Sequence, residues 1–371
     1  MKTALNLPLA LALVTGMGRT AAQQPVITSF SQNGVLVCKD LQPGTVAGVE
    51  WTSSLAGPWH TNWSGLDAVK VGSDRNIQVS VPMYYRVHVV PAPSGMVLVP
   101  AGTFTMGDTL DGLSTAIPTN VYVSAFYMDA NLVTWDEWQG VYAYATSHGY
   151  SLGAGAGTAA NHPVLYVNWY GCVKWCNARS QQAGKVPVYY TDAGLTQVYT
   201  NGEAAVYANW GAKGYRLPTE AEWEKAARGG LSGQRFPWGN TISWSQANYY
   251  VYRTGATNNF AYDVNPTSGH NPAWISESQI YTTPVGSFGP NAYGLYDMAG
   301  NAFQWCWDWY ATRYAGEPDP RGPATGSYRV YRGGSWDYYA SFCRTAYRCN
   351  GDPARTYNVY MGFRSVLPPG Q

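Results

Sequence analysis

The pattern of apolar and polar positions predicts three helices in the middle of the chain. Thr134 and Glu137 are spaced as a capping box before the first apolar run. Thr219 can cap the third predicted helix in the same way. Gly184 follows the last apolar position of the second predicted helix and can end it. The expected helices are residues 135–145, 170–183 and 220–228.

Short β-prone runs separated by Gly, Pro, Asn and Asp predict a small β-rich module over residues 25–90. The runs are Val35–Cys38, Val46–Trp51, Ile77–Val81 and Tyr85–Val90. Two X-Pro units then predict an extended linker over 91–95.

A second domain is expected over residues 96–367. It opens with a predicted β-hairpin, 96–107, with Pro-Ala-Gly at its turn, and a further strand is expected over 121–128. Helical periodicity is absent after residue 231, where Gly, Asn and aromatic residues dominate. These patterns predict an α+β fold that is rich in irregular loops.

Composition narrows the possible functions. The 371 residues carry 23 basic and 22 acidic side chains, a net charge of +1, so no basic field attracts nucleic acid or a membrane surface. Tyr and Trp are abundant, at 30 and 16. Large rigid rings lose little entropy on contact, which favours them at binding surfaces.

The N-terminus is typical of a secretory signal peptide, residues 1–23. Lys2 supplies positive charge, residues 5–14 are mostly apolar, and Ala21 and Ala22 offer a cleavage site. That apolar run is too short to span a bilayer, so we expect a secreted or periplasmic protein without membrane insertion. In that compartment the six cysteines permit disulfides, whose connectivity stays open.

Six motifs occur in a fixed order along the second domain. They are Val-Pro-Ala-Gly-Thr-Phe-Thr-Met-Gly from position 99, Asn-His-Pro-Val-Leu-Tyr-Val-Asn-Trp from 161, Gly-Tyr-Arg-Leu-Pro-Thr-Glu-Ala-Glu-Trp-Glu from 214, Phe-Pro-Trp-Gly-Asn from 236, Asn-Ala-Tyr-Gly-Leu-Tyr-Asp-Met-Ala-Gly-Asn from 291 and Arg-Gly-Gly-Ser from 332. In this order they resemble formylglycine-generating enzymes, the sulfatase-modifying-factor family. The resemblance implies a variant of the C-type lectin fold for this domain.

The resemblance also implies a metal site, which this chain retains only in part. Those oxidases hold copper between two cysteines five residues apart; here the second matches Cys343 and the first falls on Tyr338, while Ser335 matches the family's serine beside the site. Copper(I) prefers thiolates, and a protonated phenol does not replace one. Cys306 or Cys349 could approach in space instead, and a disulfide between Cys343 and Cys349 would exclude metal.

The residues after Ser335 predict a different role. They form a polar and aromatic loop, similar in composition to an antibody paratope. The predicted ligand-binding residues are Trp336, Asp337, Tyr338, Tyr339, Ser341, Phe342, Tyr347, Tyr357 and Tyr360. The loop also resembles the variable C-terminal region of diversity-generating retroelement targets, because these residues other than Trp336, and also Asn350 and Asn358, can arise from an Asn codon by substitution of its adenines. Ordinary drift on a tolerant surface is the alternative.

Calcium sites are a further implication of the resemblance. One would lie near Asn291 and Gly294 and another near Asn248 and Tyr249, where carbonyl and amide oxygens suit a hard cation. The acidic partner is open, with Asp263 and Glu277 as candidates. The alternative is that these Asn residues cap turns.

Three functions therefore remain open. The favoured one is an exported family member without oxidase activity that binds a peptide, protein or glycan through its C-terminal aromatic loop. The second is a copper-dependent oxidase that makes formylglycine, with Cys343 and Ser335 as its catalytic residues. The third is a retroelement-diversified binding protein of the same fold.

Overall fold

The structure is a computed structural model that describes residues 26–30, 35–41, 44–51, 69–71, 73–75, 77–80, 85–90, 92–275, 279–312, 316–356 and 359–369. The predicted signal peptide lies outside these residues. Tyr357, Asn358 and Glu277 also lie outside them.

The N-terminal part forms two antiparallel three-stranded sheets, ordered β1-β2-β5 and β4-β3-β6. The strands are β1 (Val26–Phe30), β2 (Val35–Lys39), β3 (Val46–Trp51), β4 (Val69–Lys70), β5 (Ile77–Ser80) and β6 (Tyr85–Val90). The four predicted strands are confirmed, whereas β1 and the two-residue β4 were not predicted. The domain boundary at 91–95 stays a prediction.

All three predicted helices are confirmed. They are α1 (Trp135–Ser147), α2 (Trp169–Gln182) and α3 (Glu220–Arg228). Complete capping boxes start α1 at Thr134 and α3 at Thr219, while the side chain of Asn168 caps α2. Gly229 ends α3 in the left-handed region, at φ 56°, which glycine adopts readily.

The predicted hairpin over 96–107 is wrong. Strand β7 (Met96–Val99) pairs with β10 (Phe126–Asp129), while β8 (Gly102–Met106) pairs with β9 (Thr119–Val123). Val99 faces Phe126 and Gly102 faces Val123, so the register is the same on both sides of the unpaired residues 100–101 and 124–125. The four strands form one long antiparallel ribbon with a bend, and the predicted turn is that bend.

The bend has a simple cause in the backbone donors. Pro100 has no N–H to give to the ladder. On the facing strand, Ser124 lies across from Ala101, and its N–H donates instead to a carboxylate oxygen of Asp319, at 2.6 Å. The single strand expected over 121–128 is split at the same level, because both sides of the ribbon lose their ladder hydrogen bonds there.

The C-terminal part contains short strands joined by long loops. The strands are β11 (Tyr189–Tyr190), β12 (Tyr207–Ala208), β13 (Arg253–Thr254), β14 (Thr257–Asn258), β15 (Phe303–Trp309), β16 (Arg329–Arg332), β17 (Cys349–Gly351), β18 (Met361–Gly362) and β19 (Val366–Leu367). A four-stranded sheet runs β17-β16-β15-β18, with β18 parallel to β15. Among the described residues after 231, the helical turns are short 3-10 segments at Pro272–Trp274 and Ala340–Cys343.

Buried aromatic rings join these elements. The rings of Trp138 and Trp175 stack at 6.0 Å between α1 and α2. Trp169 of α2 donates its indole N–H to the carbonyl of Cys306 at 2.8 Å, and Trp305 donates to the carbonyl of Val167 at 3.1 Å. The helix is thereby fixed to the four-stranded sheet from which the C-terminal segment departs. No helix in the described part is long and apolar enough to cross a membrane.

Candidate functional site

Two consecutive glycines, Gly333 and Gly334, follow strand β16 and lead into the loop that begins at Ser335. A Cβ on Gly334, whose φ is +76°, would lie 2.6 Å from Sγ of Cys343 and 3.0 Å from its backbone nitrogen. Both the positive φ and the close approach require glycine. This turn sets the position of Ser335 and of the residues that follow it.

Three arginines of this segment are fixed by carboxylates elsewhere in the fold. Arg332 pairs with Glu224 of α3, Arg348 makes a bidentate pair with Glu220 at 2.6 and 2.7 Å, and Arg344 pairs with Asp111. The arginines lie at the start, middle and end of residues 332–348. Charge-assisted pairs, and the bidentate pair above all, fix geometry strongly, so the loop between these arginines has firmly positioned ends.

Glu224 is the most connected of these carboxylates. It is fully buried and also accepts from the N–H of Gly107 at 2.6 Å and from Arg228 at 2.7 Å. Burial alone would raise its pKa, but Arg228 and Arg332 outweigh that effect and hold the pKa below its usual value. The glutamates of α3 therefore have a structural role, as the capping pattern indicated.

Cys343 is sealed inside a hydrophobic cluster. Its thiol is 0% exposed and packs among Phe236, Ile242, Ala247, Tyr249, Val251, Ala299 and Ala340. Burial strongly raises the pKa of the thiol, only partly offset by a hydrogen bond from the Gly300 N–H. Cys306 and Cys349 belong to other clusters, and no disulfide joins any of the six cysteines, all of which the structure describes. The open alternative of a Cys343–Cys349 disulfide is absent from the structure.

Tyr338, at the position of the missing thiol, is part of an aromatic cluster. Its ring contacts Phe303 at 4.9 Å, Phe342 at 5.0 Å and Tyr360 at 4.8 Å between centroids. Burial, followed by a hydrogen bond with Tyr360, raises the pKa of its phenol well above the usual value. A sealed thiol and a protonated phenol do not fit copper(I), so these residues offer no copper chemistry. The Ser335 hydroxyl is buried and makes no hydrogen bond within the described residues.

Around this cluster lies a set of rings that we call the C-terminal aromatic surface: Tyr250, Tyr252, Tyr338, Tyr339, Phe342, Tyr347 and Tyr360. Each is exposed or half-buried. Tyr252 stacks on Tyr339 at 5.0 Å, and Phe342 contacts Tyr347 at 4.8 Å. The rings support one another, so the surface presents large, preorganised apolar faces to solvent.

Burial divides the segment into two sets of positions. The predicted ligand-binding residues other than Trp336, together with Asn350, are all exposed or half-buried where described: Asp337, Tyr338, Tyr339, Ser341, Phe342, Tyr347, Asn350 and Tyr360. Trp336, Cys343, Arg344, Arg348, Pro353, Gly362 and Phe363 between them are buried. Arg355 lies among these buried residues in the sequence but is itself exposed. Side chains of the first set can change without entering the core.

Trp336 differs from the other predicted binding residues because it is only 4% exposed. Its indole N–H donates to the carbonyl of Val359 at 3.1 Å, and its ring contacts Tyr281 and His270. The adjacent Asp337 is exposed and accepts from His270 at 2.8 Å. Trp336 therefore supports the surface from below.

The sequence did not identify Tyr250, Tyr252 and His270 as neighbours of this surface. The N–H of Tyr250 donates to the carbonyl of Tyr338 at 3.0 Å, across almost ninety positions of the chain. The alternating Tyr-Val-Tyr at 250–252 is typical of a half-buried strand at most. Nothing in the sequence pattern showed which element it would meet.

The predicted calcium ligands differ in their surroundings. The side-chain oxygen of Asn291 accepts from the N–H groups of Tyr293 and Leu295, and its amide donates to Ala226 at 2.7 Å, as a turn and helix cap would. The side-chain oxygen of Asn248 is buried and makes no hydrogen bond within the described residues. The second position alone leaves a side-chain oxygen available to a cation.

The other predicted calcium positions make internal contacts. The hydroxyl of Tyr249 donates to one carboxylate oxygen of Asp263 at 2.8 Å, while the second oxygen of Asp263 is buried and makes no hydrogen bond within the described residues. At the first site, the carbonyl of Asn291 accepts from the N–H of Gly294 at 2.8 Å. Within the described residues, no three His, Cys, Asp or Glu side chains come together in a group that could hold a metal ion.

The sealed thiols lead to a direct prediction. All six cysteines are buried, and burial raises the pKa of each thiol, for Cys38 to about 11. We expect Ellman's reagent at pH 8 to label none of them in the native protein and all six in guanidinium. A Ser245→Cys variant, at an exposed position, should add one fast-reacting thiol. Rapid native labelling of Cys343, mapped by mass spectrometry, would contradict the structure.

Three helices, short sheets and long aromatic loops around an arginine-anchored C-terminal segment define a mixed helix and sheet domain like that of formylglycine-generating enzymes. Residues 87–368 match the family model for the sulfatase-modifying factor enzyme 1-like domain. The chain belongs to this FGE-sulfatase family.

Individual relatives agree with that assignment. The formylglycine-generating enzyme of Thermomonospora curvata is 33% identical over 74% of this chain and 94% of its own, and that of Bos taurus is 34% identical over 72% and 71%. Among solved structures, the Treponema denticola variable protein 1 has a TM-score of 0.56 at 30% identity, covering 74% of this chain and 95% of that one. CarF has a TM-score of 0.56 at 28% identity, covering 74% and 98%.

Proposed function

We propose that this chain is an exported member of the family that lacks formylglycine-generating oxidase activity and binds a peptide, protein or glycan through its C-terminal aromatic surface. The observation that carries the proposal is the replacement of one metal-binding thiol by Tyr338, whose ring helps to build that surface. The remaining thiol, Cys343, is 0% exposed. The predicted signal peptide supports export, and the mixed fold is compatible with a C-type lectin-like variant.

The chemistry of the surface suits recognition. Tyr side chains offer apolar faces and a hydroxyl that both donates and accepts hydrogen bonds, with little rotamer entropy to lose. The surface rests on a rigid base, because Arg332, Arg344 and Arg348 are paired with carboxylates. Preorganisation of this kind lowers the free-energy cost of ordering on binding.

The absence of oxidase activity can be measured directly. The mature chain would be loaded with copper(I) and incubated in air with a Cys-x-Pro-x-Arg peptide. We expect no aldehyde by mass spectrometry and the same copper uptake for Cys343→Ser as for the parent. Aldehyde formation that depends on Cys343 would overturn the proposal.

Binding is tested with ligands selected on the parent chain from a random peptide library and a glycan array. We expect Tyr339→Ala and Phe342→Ala each to weaken the selected ligands at least about 30-fold, the effect of losing an anchor worth about 2 kcal/mol. Tyr328→Ala is the matched control, since Tyr328 is 51% exposed but makes no ring contact with the surface. Equal losses in all three variants, or none, would argue against this surface.

A second candidate function, a retroelement-diversified receptor, is favoured by the division between exposed and buried positions. The described candidate variable residues are all at least partly exposed: Asp337, Tyr338, Tyr339, Ser341, Phe342, Tyr347, Asn350 and Tyr360. A similar solved structure is that of a protein named variable protein 1. A template repeat and a reverse-transcriptase gene beside the coding sequence, with adenine-specific differences, are expected; their absence would exclude this function.

We also propose that calcium binds at Asn248 rather than at Asn291, because the side-chain oxygen of Asn248 makes no hydrogen bond within the described residues whereas that of Asn291 accepts two. We expect millimolar CaCl₂ to raise the melting temperature relative to EGTA. The increase should persist in Asn291→Ala and disappear in Asn248→Ala. No calcium-dependent shift in the parent chain would refute the site.

A further inference from the structure

A cavity of about 460 Å³ lies at the start of α2. Its wall is built from residues 151–153, 166–168 and 201–203, with Trp138, Gly171, Lys174 and Thr356 completing it. It shares no lining residue with the C-terminal aromatic surface. Its volume falls in the range of small-molecule sites, about 300–1,000 Å³.

Two opposite charges line this cavity without pairing with each other. Lys174 is only 4% exposed, and its ammonium donates to the carbonyl of Gly202 at 3.1 Å. Glu203 accepts from the Asn168 side chain at 2.6 Å. No ion pair between Lys174 and Glu203 occurs in the described part of the chain, although Glu203 lies near enough to favour the charged ammonium.

Burial therefore leaves the ammonium with unused donors. Desolvation lowers the pKa of Lys174, and the field of Glu203 opposes that change. An ammonium has three donors, of which one is used by Gly202. The Glu203 carboxylate likewise has acceptor capacity beyond its bond to Asn168. A ligand that accepts from one group and donates to the other would satisfy both.

The rest of the lining is partly apolar and partly hydroxylic. Leu152, Val167 and the half-buried Tyr166 supply apolar surface, while Ser151 and Thr356 supply hydroxyls. Tyr166 has φ +57°, a left-handed conformation that non-glycine residues adopt at an energetic cost and that is concentrated at functional sites.

We propose that this cavity binds a saccharide, with two neighbouring hydroxyl groups bridging Lys174 and Glu203. A hydroxyl both donates and accepts, so adjacent hydroxyls can donate to the carboxylate and accept from the ammonium. The apolar C–H face of a pyranose then meets the apolar wall. A ligand with a single charge of either sign would face one like charge, which disfavours simple anions and cations.

This inference does not rest on the C-terminal aromatic surface, because the two sites have separate linings. A zwitterion is the competing ligand chemistry, since its ammonium and carboxylate could pair with Glu203 and Lys174. The two classes are separated by their probes: neutral methyl pyranosides carry hydroxyls without charge, and glycylglycine carries charge without vicinal hydroxyls.

The mature chain would be titrated with methyl glucoside, mannoside, galactoside, fucoside and N-acetylglucosaminide, and separately with glycylglycine, by calorimetry and by amide chemical shifts. We expect millimolar or tighter binding of at least one pyranoside, with shifts confined to residues lining the cavity. Lys174→Met and Glu203→Ala should each weaken it at least tenfold. Tyr339→Ala and the exposed-site control Glu317→Ala should leave it unchanged.

Glu203 is exposed, so its variant keeps the test valid even if Lys174→Met does not fold. Binding of no pyranoside, unchanged pyranoside binding in Glu203→Ala, or binding of glycylglycine alone would overturn the proposal. Loss of pyranoside binding in Tyr339→Ala would also overturn it, by assigning the sugar to the aromatic surface. If this test fails, the proposed binding function of the C-terminal aromatic surface is unaffected, because Tyr339→Ala and Phe342→Ala test that function separately.

Discussion

Glu224→Gln is expected to lower the free energy of unfolding by about 3–5 kcal/mol, the range for breaking a buried ion pair on one side. The carboxylate is fully buried between Arg228 and Arg332. An amide of the same shape removes the negative charge that these two guanidinium groups share, although Arg332 keeps a longer contact with Glu220 at 3.6 Å. Urea denaturation followed by tryptophan fluorescence measures the change.

The matched control is Glu317→Gln, the same chemical change at an exposed position, for which we expect a change below about 0.5 kcal/mol. A double variant, Glu224→Gln with Arg332→Met, should recover part of the loss, because the second substitution reduces the excess of buried positive charge that Glu224→Gln creates. Equal stability of Glu224→Gln and Glu317→Gln would contradict the role assigned to α3.

The ion pairs of Glu224 with Arg228 and Arg332 predict how the stability of the fold depends on pH. The pKa of Glu224 is lower in the folded than in the unfolded chain, so its contribution to stability is present above the unfolded pKa. It is lost as the pH falls through the folded value. The stability difference between the parent chain and Glu224→Gln should therefore shrink in acid, and a difference that grows there would contradict this assignment.

Gly334→Ala is expected to destabilise the fold by about 2–4 kcal/mol, from a strained positive φ together with overpacking. The new methyl group would lie 2.6 Å from Sγ of Cys343. If Cys343 acts by packing, removing its sulfur should relieve part of the strain. Gly334→Ala with Cys343→Ala is accordingly expected to be less destabilised than the sum of the single variants, by urea denaturation.

Gly112→Ala is the control for backbone strain alone. Gly112 has a similar φ of +67°, but nothing lies within 4 Å of the added methyl group. We expect a loss of about 1 kcal/mol there. Strict additivity of the Gly334 and Cys343 substitutions would show that the two residues do not press on each other.

Local chemistry explains which parts of the fold could be predicted. Helix α3 was predicted with both its ends because its Thr219 cap and its Gly229 stop lie within the helix's own sequence. The ribbon over 96–129 was misread because a Pro-Ala-Gly run has the composition of a turn. Which strands pair depends on Phe126 and Val123, some twenty residues away.

The candidate site divides in the same way. The polar-aromatic loop follows from residues 335–343 themselves, and the missing thiol follows from comparing these residues with the family's motif. Other features depend on tertiary contacts. They are the pairing of Tyr250 with this loop, the burial of Trp336 and the position of Lys174 and Glu203 in one cavity. Single-sequence patterns carry no information on such distant partners.

The bent ribbon constrains how the chain can change in length. Because side chains alternate between faces, one residue inserted on one side of the bend would exchange the inner and outer faces of β8 relative to β9. Val121 and Val123, both fully buried, would then point to solvent. We expect insertions and deletions among homologues to be confined to the ribbon's tip, residues 107–118, or to occur as compensating pairs on the two strands.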